Sequence, residues 1–185
     1  MAGPVPPLTP PTEPLTDGVI TLRPWLDDDA AARAAAFSDP EIVRWTDLPE
    51  TYTADDAAHD IRRARELQAL GERITFAIVD AAGEVIGGID VMLALYERAE
   101  LGYVVGAAHR RRGYATRAVR LLSTWTFDAL PVRRIELPVP LGNVASAGVA
   151  RRAGFTPEGT LQSFLALRDG GPRYDVTMFA LVGAA

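Results

Sequence analysis

The segment RIELPVPLGNVAS, residues 134–146, sets two prolines two positions apart inside an apolar run that otherwise reads as a strand over 135–141. Backbone donors of successive strand residues point to opposite neighbours, so the N–H groups missing at Pro138 and Pro140 belong to one side. On that side the strand cannot complete a ladder. Either it is a sheet edge, or it stands inside a sheet and must part from its neighbour, leaving a wedge. If the neighbour is the segment around 99–105, an extended ligand could enter the wedge and pair with that strand's free edge.

The rest of the chain supplies the elements such a sheet needs. VITLRPW (19–25) alternates apolar and polar residues until its proline, which predicts a first strand. DDDAAARAAAF carries acids in its first turn and alanines after it, and SDPEIVRW (38–45) restarts as a turn and short helix. TADDAAHDIRRARELQAL (53–70) predicts a long helix with Thr53 as N-cap and Gly71 beyond its end. The period then switches to strands at 73–80, 84–93 and 98–106, the first two joined through Ala81-Ala82-Gly83. Positions 115, 118, 119, 122, 125 and 129 keep helical spacing over 114–129. A helix over 145–154 and two strands around the turn RDGGPR close the chain. This order predicts an α/β (α+β) domain, with one mixed, mostly antiparallel central sheet and helices on its faces. Six of the fourteen prolines fall in the first eighteen residues, so residues 1–16 read as an extended, proline-rich flexible tail and 17–185 as a single domain.

Composition excludes several chemistries. The chain has no cysteine, which removes disulfides, thiolate metal sites and an acyl-cysteine intermediate. His59 and His109 are its only histidines, too few for a conventional zinc site, and no metal site is expected. Lysine is absent, so all cationic side chains are arginine. A formal net charge of −5 disfavours non-specific nucleic-acid binding. The amino terminus lacks the basic start and apolar core of a signal peptide, and no apolar run spans a bilayer, which leaves a cytoplasmic location by default.

Against that acidic background, His109-Arg110-Arg111-Arg112-Gly113-Tyr114-Ala115 concentrates positive charge where a helix begins without Ser, Thr, Asp or Asn to cap it. The first amides of that helix carry the positive end of its dipole. Gly113 lets the backbone turn so that several N–H groups converge, and Ala115 keeps the approach open, an arrangement suited to a pyrophosphate. A solvated basic loop would read the same way in isolation. Asn143 and Ser146 likewise fit the N-cap of the 145–154 helix without any chemistry.

Taken in order, ELGYVV, Arg-x-x-Gly-x-Ala opening a helix, a proline-containing strand, Asn-x-x-Ser and ARRAGF resemble the GNAT superfamily of acyl-CoA-dependent N-acyltransferases. Within it, TLRPW, SDPEIVRW, LGYVV, GNVAS and RRAGFTPEG look like the branch of ribosomal-protein N-terminal (alanine) acetyltransferases. The likeness runs from about Val19 to Leu181 and implies a splayed central strand pair. It implies acetyl-CoA, or another acyl-CoA, as co-substrate. The pyrophosphate would lie on Arg110, Arg111, Arg112, Gly113, Tyr114 and Ala115, and the pantetheine arm beside Tyr103, Val104 and Val105. A backbone N–H at Val104 or Val105 would face the thioester carbonyl. Asn143 would hold the arm, and Ser146 would also protonate the departing thiolate. Many relatives use a tyrosine after the GF turn for that step, and Thr156-Pro157-Glu158-Gly159 offers none. Glu100 is the candidate general base, against the alternative of a surface strand carboxylate or a water chain.

Trp45 and Tyr52 bracket the irregular stretch WTDLPETY, where aromatic and acidic groups would suit a cationic amine or ordinary packing equally. The expected reaction is transfer of an acyl group, acetyl first, directly to a primary amine: a protein N-terminus, or a small amine such as a polyamine or aminoglycoside. A non-catalytic acyl-CoA-binding module is the rival from another class. The C-terminal hairpin could pair between subunits in a homodimer.

Overall fold

The computed structural model describes residues 8–167 and 171–183. Its strands are β1 (Leu15–Thr16), β2 (Ile20–Pro24), β3 (Arg73–Asp80), β4 (Val85–Ala94), β5 (Arg98–Val105), β6 (Arg134–Pro140), β7 (Thr156–Ala166) and β8 (Arg173–Val182). The helices are α1 (Ala30–Phe37), α2 (Pro40–Trp45), α3 (Ala54–Ala69), α4 (Tyr114–Ala129) and α5 (Val144–Ala153). The strands form one sheet in the order β1-β2-β3-β4-β5-β6-β8-β7, antiparallel throughout except for the parallel pair β5–β6. The expected mixed α/β sheet with helices on both faces is what the chain adopts.

Helix starts follow local chemistry. Thr53 and Asp56 cap α3 reciprocally, each side chain accepting from the other's backbone N–H at 3.2 and 2.9 Å. The Asp39 carboxylate accepts from Glu41 N and Ile42 N at the start of α2. Asp29, just before α1, is 7% exposed and tolerates that burial because Arg23 pairs with it at 2.6 Å and Leu26 N donates to it at 2.8 Å.

Two apolar cores sit on opposite faces of the sheet. On one, Ala118, Val119 and Leu122 of α4 and Val149 and Ala150 of α5 pack on Phe76, Val91, Leu101 and Ile135. On the other, Phe37 of α1 and Ala57 and Ile61 of α3 pack with Trp25, Tyr52 and Ala77. Strand alternation assigns β5 residues between them: Tyr103 packs with the first core and Val104 with the second. Among the described residues no helix is long and apolar enough to cross a membrane.

The proline-rich start departs from the flexible tail expected over residues 1–16. Residues 1–7 lie outside the described residues, but Leu8 is 6% exposed within the first core and Leu15–Thr16 pairs with Leu22 and Thr21. Burial of one leucine and a short ladder offset the ordering entropy of that segment. The turn RDGGPR falls partly outside the described residues, and β7 begins at Thr156. Replacing Leu8 by alanine is expected to cost about 2 kcal/mol in urea unfolding, whereas an unattached tail would register no change.

Candidate active site

β5 and β6 are registered at Arg98↔Arg134, Ala99↔Ile135 and Glu100↔Glu136, and the pairing stops there although both strands continue. β5 stays laddered to β4 through Val105, and β6 to β8 through Pro140. Leu141 N donates to Asp175 O at 2.9 Å, so odd-numbered donors of this strand face β8 and the missing donors of Pro138 and Pro140 face β5. Across the opening, Gly106 N donates to Ile86 O of β4 at 2.9 Å. By alternation Val104 N–H points to β4, while Tyr103 and Val105 present theirs to the gap. Of the two donors expected from sequence, Val105 is the one so oriented.

The loop after β5 ends on the two left-handed residues Arg111 (φ 65°) and Gly113 (φ 80°), which bend successive amides toward one concavity. No side chain caps α4, so the amides of its first turn are left without a side-chain acceptor. A Cβ at Gly113 would meet nothing within 4 Å, so the glycine is there for its backbone conformation and the space in front of it is open. Tyr114 and Ala115 pack against the first core, while Arg111 and Arg112 are exposed. Arg110 is engaged elsewhere: its guanidinium donates to Val105 O at 3.2 Å and to Asp39 at 2.7 Å, tying the loop to α2. Its expected phosphate contact is therefore corrected to a structural brace. From Gly113 a cleft of about 700 Å³ runs along α4 past Arg117, Arg120, Trp125 and Arg152.

Asn143 caps α5, its Oδ1 accepting from Ser146 N at 3.0 Å. The Ser146 hydroxyl takes no part in capping and instead accepts from the Tyr103 hydroxyl at 2.9 Å. Burial pushes the Tyr103 phenol up to about 12 against the opposing pull of Ser146 and Arg152, so at neutral pH it remains a donor.

On the opposite face, Glu100 stands at the last β5–β6 pair, at the apex of the gap. Its carboxyl is raised above the usual range by burial first, then by Asp90 and Glu136, with Arg73 opposing. Asp90 of β4 pairs with Arg73 at 3.2 Å, and burial lifts its carboxyl to about 6.

The acceptor side is only partly as expected. Trp45 is half-buried at the mouth of the site, donating from Nε1 to Glu41 at 2.7 Å with its ring 3.8 Å from where a Cβ on Gly142 would sit. Tyr52 is corrected to a core residue. It is 5% exposed, stacked on Phe37, and its hydroxyl donates to Asp60 at 2.7 Å and accepts from Arg33 at 2.8 Å. Between α2 and the β7–β8 hairpin lies a cleft of about 540 Å³ lined by Ser38, Arg44, Thr46, Glu50 and Tyr174. His109 lies beside Glu84 at 3.4 Å, on the loop and away from the gap.

Comparison with known proteins decides the family. The family model of the acetyltransferase (GNAT) domain matches residues 20–156. The chain belongs to the GNAT acetyltransferase family. It is 31% identical over 166 residues to the N-acetyltransferase p20 of Bacillus licheniformis, covering 88% of this chain and 92% of that protein. Among solved structures it is similar to Mycobacterium smegmatis RimJ in complex with CoA-disulfide (TM-score 0.81, 25% identity, 92% of this chain and 86% of that one). It also shares the fold of the ribosomal-protein-S5-alanine acetyltransferase of Vibrio fischeri (TM-score 0.78, 20% identity, 92% and 97%). The protein is an N-acetyltransferase that uses acetyl-CoA.

Sequence reasoning missed three features of this acetyltransferase: the Tyr103–Ser146 contact, the Asp90 carboxylate and the cleft at the hairpin. Each joins residues distant in the chain, and only the strand register places Asp90 opposite Gly102. Among the described residues no group of three or more His, Asp or Glu is disposed to hold a metal. Because burial raises the Asp90 carboxyl in the fold, its protonated form is the stabilising one. That stability is present below about pH 4 and is lost as pH rises through about 6. Asp90→Asn should therefore gain on the parent by about 2 kcal/mol between pH 4.5 and 7.5 in urea titrations, and a constant difference would contradict the assignment.

Proposed function

We propose that this acetyltransferase modifies the α-amine of a protein or peptide N-terminus, with donor and acceptor meeting in the gap between β5 and β6. The observation that carries the reading is the gap itself: it has an open amide concavity at one end and, at its apex, a carboxylate without a hydrogen-bond or ion-pair partner among the described residues. The residues present fit coenzyme A. The amides of Arg111 to Ala115 and the exposed Arg111 and Arg112 would hold the pyrophosphate, with the basic cleft along α4 taking the nucleotide end. Acetyl-CoA supplies an activated thioester; the chain positions it and handles the protons.

Glu100 accepts a proton from the acceptor ammonium, directly or through water. Val105 N–H donates to the thioester oxygen as the amine's attack loads it with negative charge, a contact worth about 3 kcal/mol. As the carbon–sulfur bond breaks, the nitrogen sheds its second proton through water to solvent, and Ser146, held by Tyr103, gives its proton to the departing thiolate and regains one from solvent. Asn143 fixes Ser146 through the helix cap and borders the arm. The amine thus becomes an amide, the thiolate a thiol, and no acyl-enzyme forms.

A polypeptide acceptor is favoured by the hairpin cleft beside Trp45, whose lining mixes Arg44, Glu50 and Tyr174 in the manner of a peptide groove. A ribosomal-protein alanine acetyltransferase of the same fold agrees with this choice. A second reading, a small polyamine, is favoured by the carboxylates Asp90, Glu100 and Glu136 near the apex. Acceptor-dependent release of free CoA separates the two: N-terminal peptides should turn over faster than spermidine, and the reverse order selects the polyamine.

Gly113→Asp should weaken CoA binding at least tenfold (about 1.4 kcal/mol) by setting a carboxylate into the amide concavity, and unchanged calorimetric affinity would move the pyrophosphate elsewhere. Ser146→Ala should lower kcat about 10- to 100-fold with the KM for acetyl-CoA little changed, and full turnover would return Ser146 to a packing role.

A further inference from the structure

We propose that Glu136 is a positioning residue for proton transfer, a fixed carboxylate set across the ladder from Glu100 that tunes it as the base. The proposal rests on the reading of Glu100 as that base. Glu100 and Glu136 are directly opposite at the last parallel pair before the gap. Like charges facing each other on neighbouring strands weaken a sheet, so their presence there calls for a compensating arrangement or a use.

The compensation is one-sided. Arg98 contacts both oxygens of Glu136 at 3.2 Å, and Arg134 Nε donates to it at 2.7 Å. Arg134 is itself braced by two contacts to Glu158 of β7, at 2.9 and 2.5 Å. Glu136 is thereby held in place by two guanidiniums, its side chain 12% exposed. The Glu100 carboxylate has no hydrogen bond or ion pair among the described residues. Of the two glutamates that face each other at the last pair, Glu136 alone is therefore bound by the guanidiniums of Arg98 and Arg134.

The neighbouring strand repeats the pattern. Asp90 is tied to Arg73 on its far side, and a Cβ at residue 102 would come within 2.6 Å of Asp90 Oδ1. Glycine at that position lets the Asp90 carboxylate lie over β5, one diagonal from Glu100. The charged groups facing Glu100 are therefore Arg73 from β3, Asp90 from β4, Glu136 from β6 and Arg98 on its own strand, with Arg33 and Asp47 acting on Asp90 from beyond. Burial and the two carboxylates raise the proton affinity of Glu100, with Arg73 opposing them. A purely structural quartet of Arg98, Arg134, Glu136 and Glu158 would need no carboxylate opposite it.

The test is the pH dependence of kcat/KM together with a carbon-13 NMR titration of the Glu100 carboxyl, in the intact chain. Glu136→Gln should move the acid limb and the Glu100 midpoint down by about half to one pH unit, with the alkaline plateau falling about two- to threefold as a weaker base requires. Arg134→Gln should move both up, since it leaves Glu136 less neutralised, and Glu136→Asp should restore most of the parental limb. A limb unmoved by Glu136→Gln, with only a lower Tm, overturns the tuning role and leaves Glu100 as base. If Glu100→Gln keeps the parental rate and limb, the base assignment falls and the proposal falls with it.

Discussion

The architecture depends on two backbone donors that β6 lacks. Pro138 and Pro140 withdraw hydrogen bonds from its β5 side while Leu141 and the residues in phase with it keep the ladder to β8. The sheet therefore stays continuous at the Glu100 end and opens toward Val105. β5 and β6 are also the one parallel pair, and a parallel pair requires a crossover, here α4. The crossover helix must start where β5 ends, and α5 starts where β6 ends. Both N-termini therefore converge at the open end of the gap, α4 uncapped at Gly113 and α5 capped by Asn143. Anion affinity and an unzipped strand edge share one topological cause.

Arginine without lysine makes the distribution of positive charge legible. Arg23, Arg110, Arg117 and Arg134 are each engaged by a carboxylate at 2.7 Å or less. Three of these pairs join the sheet or its loops to other segments: Arg110 to α2, Arg117 to the chain just after β1, Arg134 to β7. Bidentate geometry suits such bracing better than an ammonium would. Among the described residues Arg111 and Arg112 carry no ion pair, so their charge stands uncompensated beside Gly113 in a protein whose formal balance is −5.

The sequence carried those parts of the fold that depend on neighbours along the chain. The bounds of α4 coincide with the apolar periodicity, Thr53 caps α3 as its type and position indicate, and the proline pair foretells the opening. Contacts across long separations were not legible. Arg110 meets Asp39 across 71 positions and Tyr103 meets Ser146 across 43, so a matching motif residue proved to be a brace and a strand tyrosine proved to support the serine. Of the two readings open for Tyr52, packing is the one the structure shows, because Arg33 and Asp60 satisfy its hydroxyl inside the second core, and no local pattern announces such a triad. The amino-terminal segment erred the other way. Proline density argued for a free tail, whereas from residue 8 onward the segment is anchored by the buried Leu8 and the short β1 ladder.

Strand alternation gives the proposed reaction its geometry. Glu100 and Tyr103 are an odd number of residues apart, so they face opposite sides of the sheet, the first toward α1 and α3 and the second toward α4 and α5. Val105 N–H lies between them, in the plane of the gap. The proton leaving the amine and the proton reaching the thiolate then travel on separate faces, with the reacting carbonyl where the strands part. A fully paired sheet would keep the two faces insulated from each other. In the proposed reaction the opening after Glu100 is what lets Ser146 on one face and Glu100 on the other address the same atoms, Glu100 at the point where the ladder ends and Ser146 on the helix that follows β6.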